Sequence, residues 1–360
     1  MKRAPLREPF VIQWHLDPRC NLTCTHCYHP SEPPSVSSSP ALRAATLAQL
    51  LEFLCGRPEG GRLHLAGGEP FACPDLPELV ARAGEQGVGC RVLSNGTLVT
   101  AQQAEALAQA RVLGVQVSVE GLEAAHDAIR GRGSFSRALR GTRILRSKGI
   151  QVTLAMTIHQ GNLADLDSLA ELASREADRF YVSRLVPLGR GADLGGRLDP
   201  ATWGRVLRRL RRLQRDLPIE VALRDPTVRP LLAAPWHARR SPVIAGCTAG
   251  WGTLTVESDG TVMPCRRMGV PIGRLGEWSL LQIWNDDPLL AQLRDRDLLE
   301  GACGRCDYRW VCGGCRAFAA NLQGNPLGPD PDCPWRGWAG RGRILARHAG
   351  RRLRTALRST

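Results

Sequence analysis

Between residues 10 and 187 the chain alternates short runs rich in β-branched and aromatic residues with longer runs whose apolar residues return every three or four positions. The first pattern is that of buried strands and the second that of amphipathic helices, so the segment reads as successive βα units around a parallel sheet. Six strands are expected, at residues 10–16, 62–66, 90–93, 115–119, 151–156 and 180–186. Leu76, Leu79, Val80 and Ala83 form a helical stripe after the second strand, and Leu139, Ile144 and Leu145 another after the fourth. Six repeats fall short of the eight that close a standard barrel. The expected fold class is α/β: a partial (β/α)6 TIM-like barrel, open on one side, followed by a small, irregular, cysteine-rich domain.

The unusual residues fall at one end of this pattern. Cys20, Cys24 and Cys27 follow the first strand, Gly67-Gly68-Glu69-Pro70 the second, and Ser94-Asn95-Gly96-Thr97 the third. Ser118 and Glu120 close the fourth, Thr157 and His159 the fifth, and Val186 and Leu188 the sixth. All lie at C-terminal strand ends, the face on which barrel enzymes assemble their sites. After Gly191 the pattern changes to a basic helix near 203–217 and a proline-punctuated stretch to Pro242. From Cys247 to Trp335 the periodicity fades, apart from a hairpin of residues 253–256 and 261–263 turned by Asp259-Gly260. So little apolar surface predicts that metal ligation supplies much of this segment's folding energy. The expected organisation is a barrel at 1–195, a helical bridge at 196–244, the cysteine-rich domain at 245–336 and a basic tail at 337–360.

Composition narrows the function. With 360 residues and 43% hydrophobic content the chain can bury a substantial core. It has neither a secretion signal nor an apolar run of about 18 residues, so a cytoplasmic protein without membrane attachment is expected. A net charge of +14 would suit nucleic acid, but only Lys2 and Lys148 among the 48 basic residues are lysines. That skew, with few aromatic residues for base stacking, reads as arginine-rich helix faces instead. In the run 205–215, Val206, Leu207, Leu210 and Leu213 make the apolar stripe; the second dense run is 336–358. Of thirteen cysteines, Cys55, Cys73 and Cys90 lack metal spacing and read as small buried hydrophobes. The remaining ten are too closely and regularly spaced for packing alone, and point to metal.

Cys20, Cys24 and Cys27 form a C-x3-C-x2-C loop. Three thiolates can hold three irons of a [4Fe–4S] cube and leave the fourth open to a ligand, whereas closed zinc sites want four ligands in paired spacings. With Gly67-Gly68-Glu69-Pro70 at the next strand end, the chain resembles the radical S-adenosylmethionine (SAM) enzymes over roughly residues 10–195. The resemblance implies that SAM chelates the open iron and is cleaved reductively to a 5′-deoxyadenosyl radical, which abstracts hydrogen from the substrate. It assigns Gly67, Gly68, Glu69 and Pro70 to the methionine ammonium, Ser94, Asn95, Ser118 and Glu120 to the ribose and carboxylate, and Val186 and Leu188 to the adenine. Many relatives carry Asp where Glu120 stands. No acid or base is assigned: His15, His26, His29 and His159 lie near the expected mouth as supporting residues.

Cys247, Cys265, Cys303, Cys306, Cys312, Cys315 and Cys333 resemble the seven cysteines of the SPASM domain, which binds auxiliary [4Fe–4S] clusters. The tight Cys312-Gly313-Gly314-Cys315 spacing is similar to that of the haem-modifying, mycofactocin-type and pyrroloquinoline-quinone-type branch. By that analogy Cys303, Cys306, Cys312 and Cys333 fill one cluster, and Cys247, Cys265 and Cys315 supply three ligands of another. Zinc knuckles would leave three cysteines unexplained.

The expected activity is therefore that of a radical SAM/SPASM oxidoreductase or maturase acting on a peptide or protein side chain, with flavodoxin or ferredoxin as reductant. Nineteen residues before Cys20 are too few for a fused recognition domain, so a separate peptide-recognition partner is expected. The alternatives are haem or d-type haem side-chain modification and, in another class, a non-enzymatic electron carrier. The carrier has no use for the glycine-rich segment.

Overall fold

The computed structural model describes residues 4–5, 8–29, 38–232, 238 and 243–336. The expected basic tail, and part of the proline-punctuated stretch before Pro242, lie outside them. The six expected strands form in order, with ends shifted by one or two residues: β1 (Phe10–His15), β2 (Gly61–Ala66), β3 (Gly89–Ser94), β4 (Gly114–Ser118), β5 (Val152–Ile158) and β6 (Arg179–Arg184). Each pairs in parallel with the next. The helices between them include α1 (Pro40–Cys55), α2 (Leu76–Glu85), α3 (Ala101–Gln109), α4 (Glu123–Arg130), α5 (Ser134–Ser147) and α6 (Leu166–Glu176). Their starts follow local chemistry: Ser39 caps α1 ahead of Pro40, and Thr100 with Gln103 forms a capping box on α3.

Side chains alternate along β1. Phe10, Ile12 and Trp14 bury in the main core, while Gln13 and His15 face the other way and are buried among polar groups. The same sheet reaches beyond the six strands. After the basic helix α7 (Pro200–Asp216), β7 (Glu220–Ala222) pairs with β6. On the opposite edge β8 (Thr253–Val256) lies parallel to β1 and continues into the antiparallel β9 (Thr261–Met263) and β10 (Gly273–Arg274), giving this sheet ten strands among the described residues. The expected hairpin therefore forms as an extension of the barrel sheet. Its Leu254, Val256 and Val262 are buried in the main core, and Trp284 meets Phe10 edge-on at 4.9 Å. This corrects the expectation that little apolar surface supports the segment.

In α7 the stripe of Val206, Leu207, Leu210 and Leu213 is buried, while Arg209 and Arg212 reach Asp167. Cys73 and Cys90 are buried as expected, but Cys55 is exposed, because it is the last residue of α1 and turns toward the Gln86 carbonyl. Among the described residues no helix is long and apolar enough to cross a membrane.

Arg184 closes β6 and is almost fully buried. Its guanidinium donates to Asp225 at 2.8 and 3.3 Å and to Asp330 at 3.0 and 3.5 Å, beneath the Phe318 ring at 4.1 Å. One side chain thus ties the barrel to the bridging segment and to the cysteine-rich region.

Candidate functional site

Two loops lock together at the C-terminal ends of β1 and β2. The Gly68 amide donates to the Asp17 carbonyl at 2.8 Å and the Glu69 amide to the Arg19 carbonyl at 3.0 Å. A Cβ on Gly68 would stand 2.0 Å from the Arg19 carbonyl oxygen, and Gly67 has φ +133°. The glycines are thus dictated by the close passage of the cysteine loop itself. Asp17 holds that loop by accepting from the Arg19 amide and guanidinium.

A cavity of about 280 Å³ opens above the strand ends. Cys20, Cys24 and Cys27 line it on one side, and Gly67, Gly68, Ser94, Asn95, Ser118 and Val186 on the others. Four expected residues do not line it. Glu69 is buried behind the wall, where its carboxylate accepts from Ser94 Oγ at 2.7 Å and from the amides of Asn95 and Phe71 at 2.8 and 3.0 Å. Pro70 starts a buried 3-10 turn next to it. Leu188 packs toward Gly269. Glu120 is fully buried, and its carboxylate accepts from His26 Nε2 at 3.0 Å, from Arg130 Nε at 2.9 Å and from the Thr157 amide at 2.7 Å. Burial alone would raise the Glu120 carboxyl, but Arg130 and His26 together hold it far below the usual range. In this arrangement Glu69 and Glu120 set the positions of other groups.

Arg130 is the residue that sequence reasoning missed. It lines the cavity and its Nη1 reaches Cys24 Sγ at 3.7 Å, while Asn95 Nδ2 reaches Cys20 Sγ at 3.8 Å. As the last residue of α4, before Gly131, it carries no signal that separates it from the many other arginines. Among the described residues five arginines line the cavity and no carboxylate does. Arg130 is matched by Glu120 and Arg184 by Asp225 and Asp330, while Arg190 donates to the Cys24 carbonyl. Arg266 stacks over the Tyr28 ring, and Arg267 lies half-buried near Cys265 and Cys315.

Cys303, Cys306, Cys312 and Cys333 surround a second cavity of about 50 Å³. Amides of Asp330, Tyr308 and Gly314 point at the sulfurs of Cys303, Cys306 and Cys312, each at 3.4 Å, and Arg316 Nη2 adds a contact to Cys303 at 3.5 Å. Such donors tune the potential of an iron–sulfur cluster. Cys247, Cys265 and Cys315 gather in a different apolar cluster with Val186 and Phe318, so Val186 stands between this trio and the first cavity. Burial pushes the Cys315 and Cys333 thiols up to about 12 and raises Cys20 and Cys24 as well. A bound metal is what makes such sites thiolate.

The spacing of the sulfurs tests which metal fits. Four thiolates on one tetrahedral zinc at about 2.3 Å lie within about 3.8 Å of one another. Among the described residues no three cysteine sulfurs lie within 4.8 Å of one another. The cysteine sets are therefore not drawn in as closely as a single zinc ion requires.

The radical SAM superfamily pattern matches residues 16–173 and the SPASM iron–sulfur cluster-binding domain residues 247–307. An AdoMet-dependent heme synthase from Methanosarcina barkeri is 32% identical, covering 92% of this chain and 98% of its own. A mycofactocin maturase from Mycobacterium tuberculosis is also 32% identical, over 91% of this chain and 83% of its own. The crystal structure of Streptococcus suis SuiB bound to S-adenosylmethionine superposes with a TM-score of 0.72 at 19% identity, over 91% of this chain and 78% of that one.

Proposed function

The chain belongs to the radical SAM superfamily and carries a SPASM iron–sulfur domain, and on that footing we propose that it abstracts hydrogen from a peptide or protein side chain during peptide maturation. It is an enzyme whose cofactors are a [4Fe–4S] cluster, auxiliary clusters and SAM. When bound, the first cluster and SAM supply a 5′-deoxyadenosyl radical. Cys20, Cys24 and Cys27 would hold that cluster. Gly67, Gly68, Ser94, Asn95 and Ser118 would seat the nucleoside, with Glu69 fixing Ser94 and Asn95, and Glu120 fixing Arg130 beside Cys24. Cys303, Cys306, Cys312 and Cys333, with the trio of Cys247, Cys265 and Cys315, would hold the auxiliary clusters. The units would be the barrel at 1–195, the bridge at 196–244 and the SPASM region at 245–336.

The observation that carries the peptide reading is size. About 280 Å³ lies at the lower limit of small-molecule sites, and SAM must share it. A single side chain reaching in from an extended chain asks less of that space than a rigid macrocycle does. A second reading, oxidation of a tetrapyrrole side chain, is supported by the heme synthase relative and by Arg266 and Arg267 in the cavity lining, suited to a carboxylate-bearing ring. Either way the protein would need a low-potential reductant, and the peptide reading would add a separate recognition partner. Candidate peptides and iron tetrapyrroles, each deuterated at the reactive side chain, separate the two. Deuterium in 5′-deoxyadenosine from a peptide supports the first reading, and transfer from the tetrapyrrole alone replaces it with the second.

A further inference from the structure

At the rim of the first cavity, three donors that the radical chemistry leaves unused converge. His15 is the last residue of β1, and Glu257 follows β8; because Val256 pairs with Trp14, the next residue on each strand stands side by side. His29 lies two residues past Cys27. His15 Nδ1 is 2.7 Å from Glu257 Oε2, the rings of His15 and His29 are centred 4.9 Å apart, and one donor atom from each of the three residues falls within a span of 4.8 Å. This is the only such group of His, Cys, Asp and Glu side chains among the described residues.

From this convergence we infer that His15, His29 and Glu257 form a site for one divalent first-row metal ion such as zinc or iron(II), distinct from the iron–sulfur clusters. Two imidazoles and a carboxylate are the donor set of mononuclear zinc and non-haem iron sites. The supporting contacts match what such ligands need. His29 Nε2 is buried and has no hydrogen-bond partner among the described residues, while the Gly67 carbonyl faces the same ring. His15 Nε2 lies 2.8 Å from the Gln13 side-chain amide; with that amide flipped, its oxygen accepts a hydrogen bond from Nε2–H and leaves the Nδ1 lone pair for the ion. Without an ion the His15–Glu257 hydrogen bond closes the site, and binding exchanges that bond for two metal bonds. His29 and Tyr28 line the first cavity, so the site borders it.

The test uses the full chain with its iron–sulfur clusters reconstituted anaerobically, so that the cysteines are occupied. It is equilibrated with zinc chloride, gel-filtered and analysed for zinc, iron and sulfide. One zinc per chain is expected in the wild type. His15→Gln and Glu257→Gln should abolish retention, and Gln13→Ala should weaken zinc binding by about 10- to 100-fold, as loss of a supporting contact does. Unchanged iron and sulfide show that each variant is folded. Independently of the variants, anomalous diffraction at the zinc edge from the wild type should place a peak between His15, His29 and Glu257. A wild type without zinc, equal retention by Glu257→Gln, or a peak confined to cysteine sulfur overturns the inference.

Discussion

Replacing Arg184 by methionine tests whether one buried cation clamps the barrel to the cysteine-rich region. The side chain is only 3% exposed, so solvent screens its ion pairs little. Its four contacts to Asp225 and Asp330 lie between 2.8 and 3.5 Å, and Asp330 passes the connection on by accepting the Cys315 amide at 2.9 Å. Methionine keeps the apolar stem against Phe318 but leaves two buried carboxylates without a cation. Breaking a buried pair in this way costs about 3–5 kcal/mol. At about 1.4 kcal/mol per factor of ten, the local opening equilibrium should rise by roughly 100- to 5,000-fold. Native-state hydrogen exchange at the Cys315 amide reads this directly, since that N–H is protected by Asp330. A triple variant, Arg184→Met with Asp225→Asn and Asp330→Asn, should recover most of the protection, because replacing the whole group by neutral side chains removes the unpaired charge. Exchange within about threefold of wild type in the single variant, or no recovery in the triple, refutes the clamp.

Three further outcomes follow from the same geometry. Gly68→Ala drives a Cβ into the Arg19 carbonyl, so anaerobic reconstitution should yield protein lacking the N-terminal cluster by iron count while auxiliary iron persists. The Glu120 carboxylate is held below its ordinary value near 4.3, so its stabilising contribution is complete above that pH and fades only as acid approaches the lower folded value. Chelator-driven iron release from the N-terminal site should therefore be flat from about pH 6 to 9 in wild type, and faster by at least tenfold throughout in Glu120→Gln, which leaves the partly buried Arg130 without its charge partner. Cys333→Ala should remove one auxiliary cluster and spare the set of Cys247, Cys265 and Cys315, as read by Mössbauer and EPR spectroscopy.

Much of the fold was legible because its strands are uniformly apolar on the helix-facing side, as at Phe10, Ile12 and Trp14, and because its glycines and cysteines cluster at strand ends. The three-cysteine loop and Gly67-Gly68 come together as their spacing implies. What escaped the sequence depends on contacts between distant residues. Nothing local in residues 253–263 says that the hairpin pairs with β1, since register against a distant strand is decided by the shared core. Glu69 and Glu120 are read from motif position as ligand contacts, yet their carboxylates are engaged by amides and cations that only the fold brings near. Arg130, Arg184, and the meeting of His15 with Glu257, are invisible for the same reason. Cys55 looks like its buried counterparts until the end of α1 leaves it exposed.

The central claim is that Cys20, Cys24 and Cys27 hold a cluster with one iron free for SAM. The most direct measurement combines iron analysis with 5′-deoxyadenosine formation, under dithionite and SAM, in anaerobically reconstituted wild type and in the triple variant Cys20→Ala, Cys24→Ala, Cys27→Ala. The account predicts nucleoside release by wild type, and in the variant a loss of one cluster's iron together with all release. Undiminished 5′-deoxyadenosine from the triple variant, or none from a wild type with every cluster in place, would contradict it.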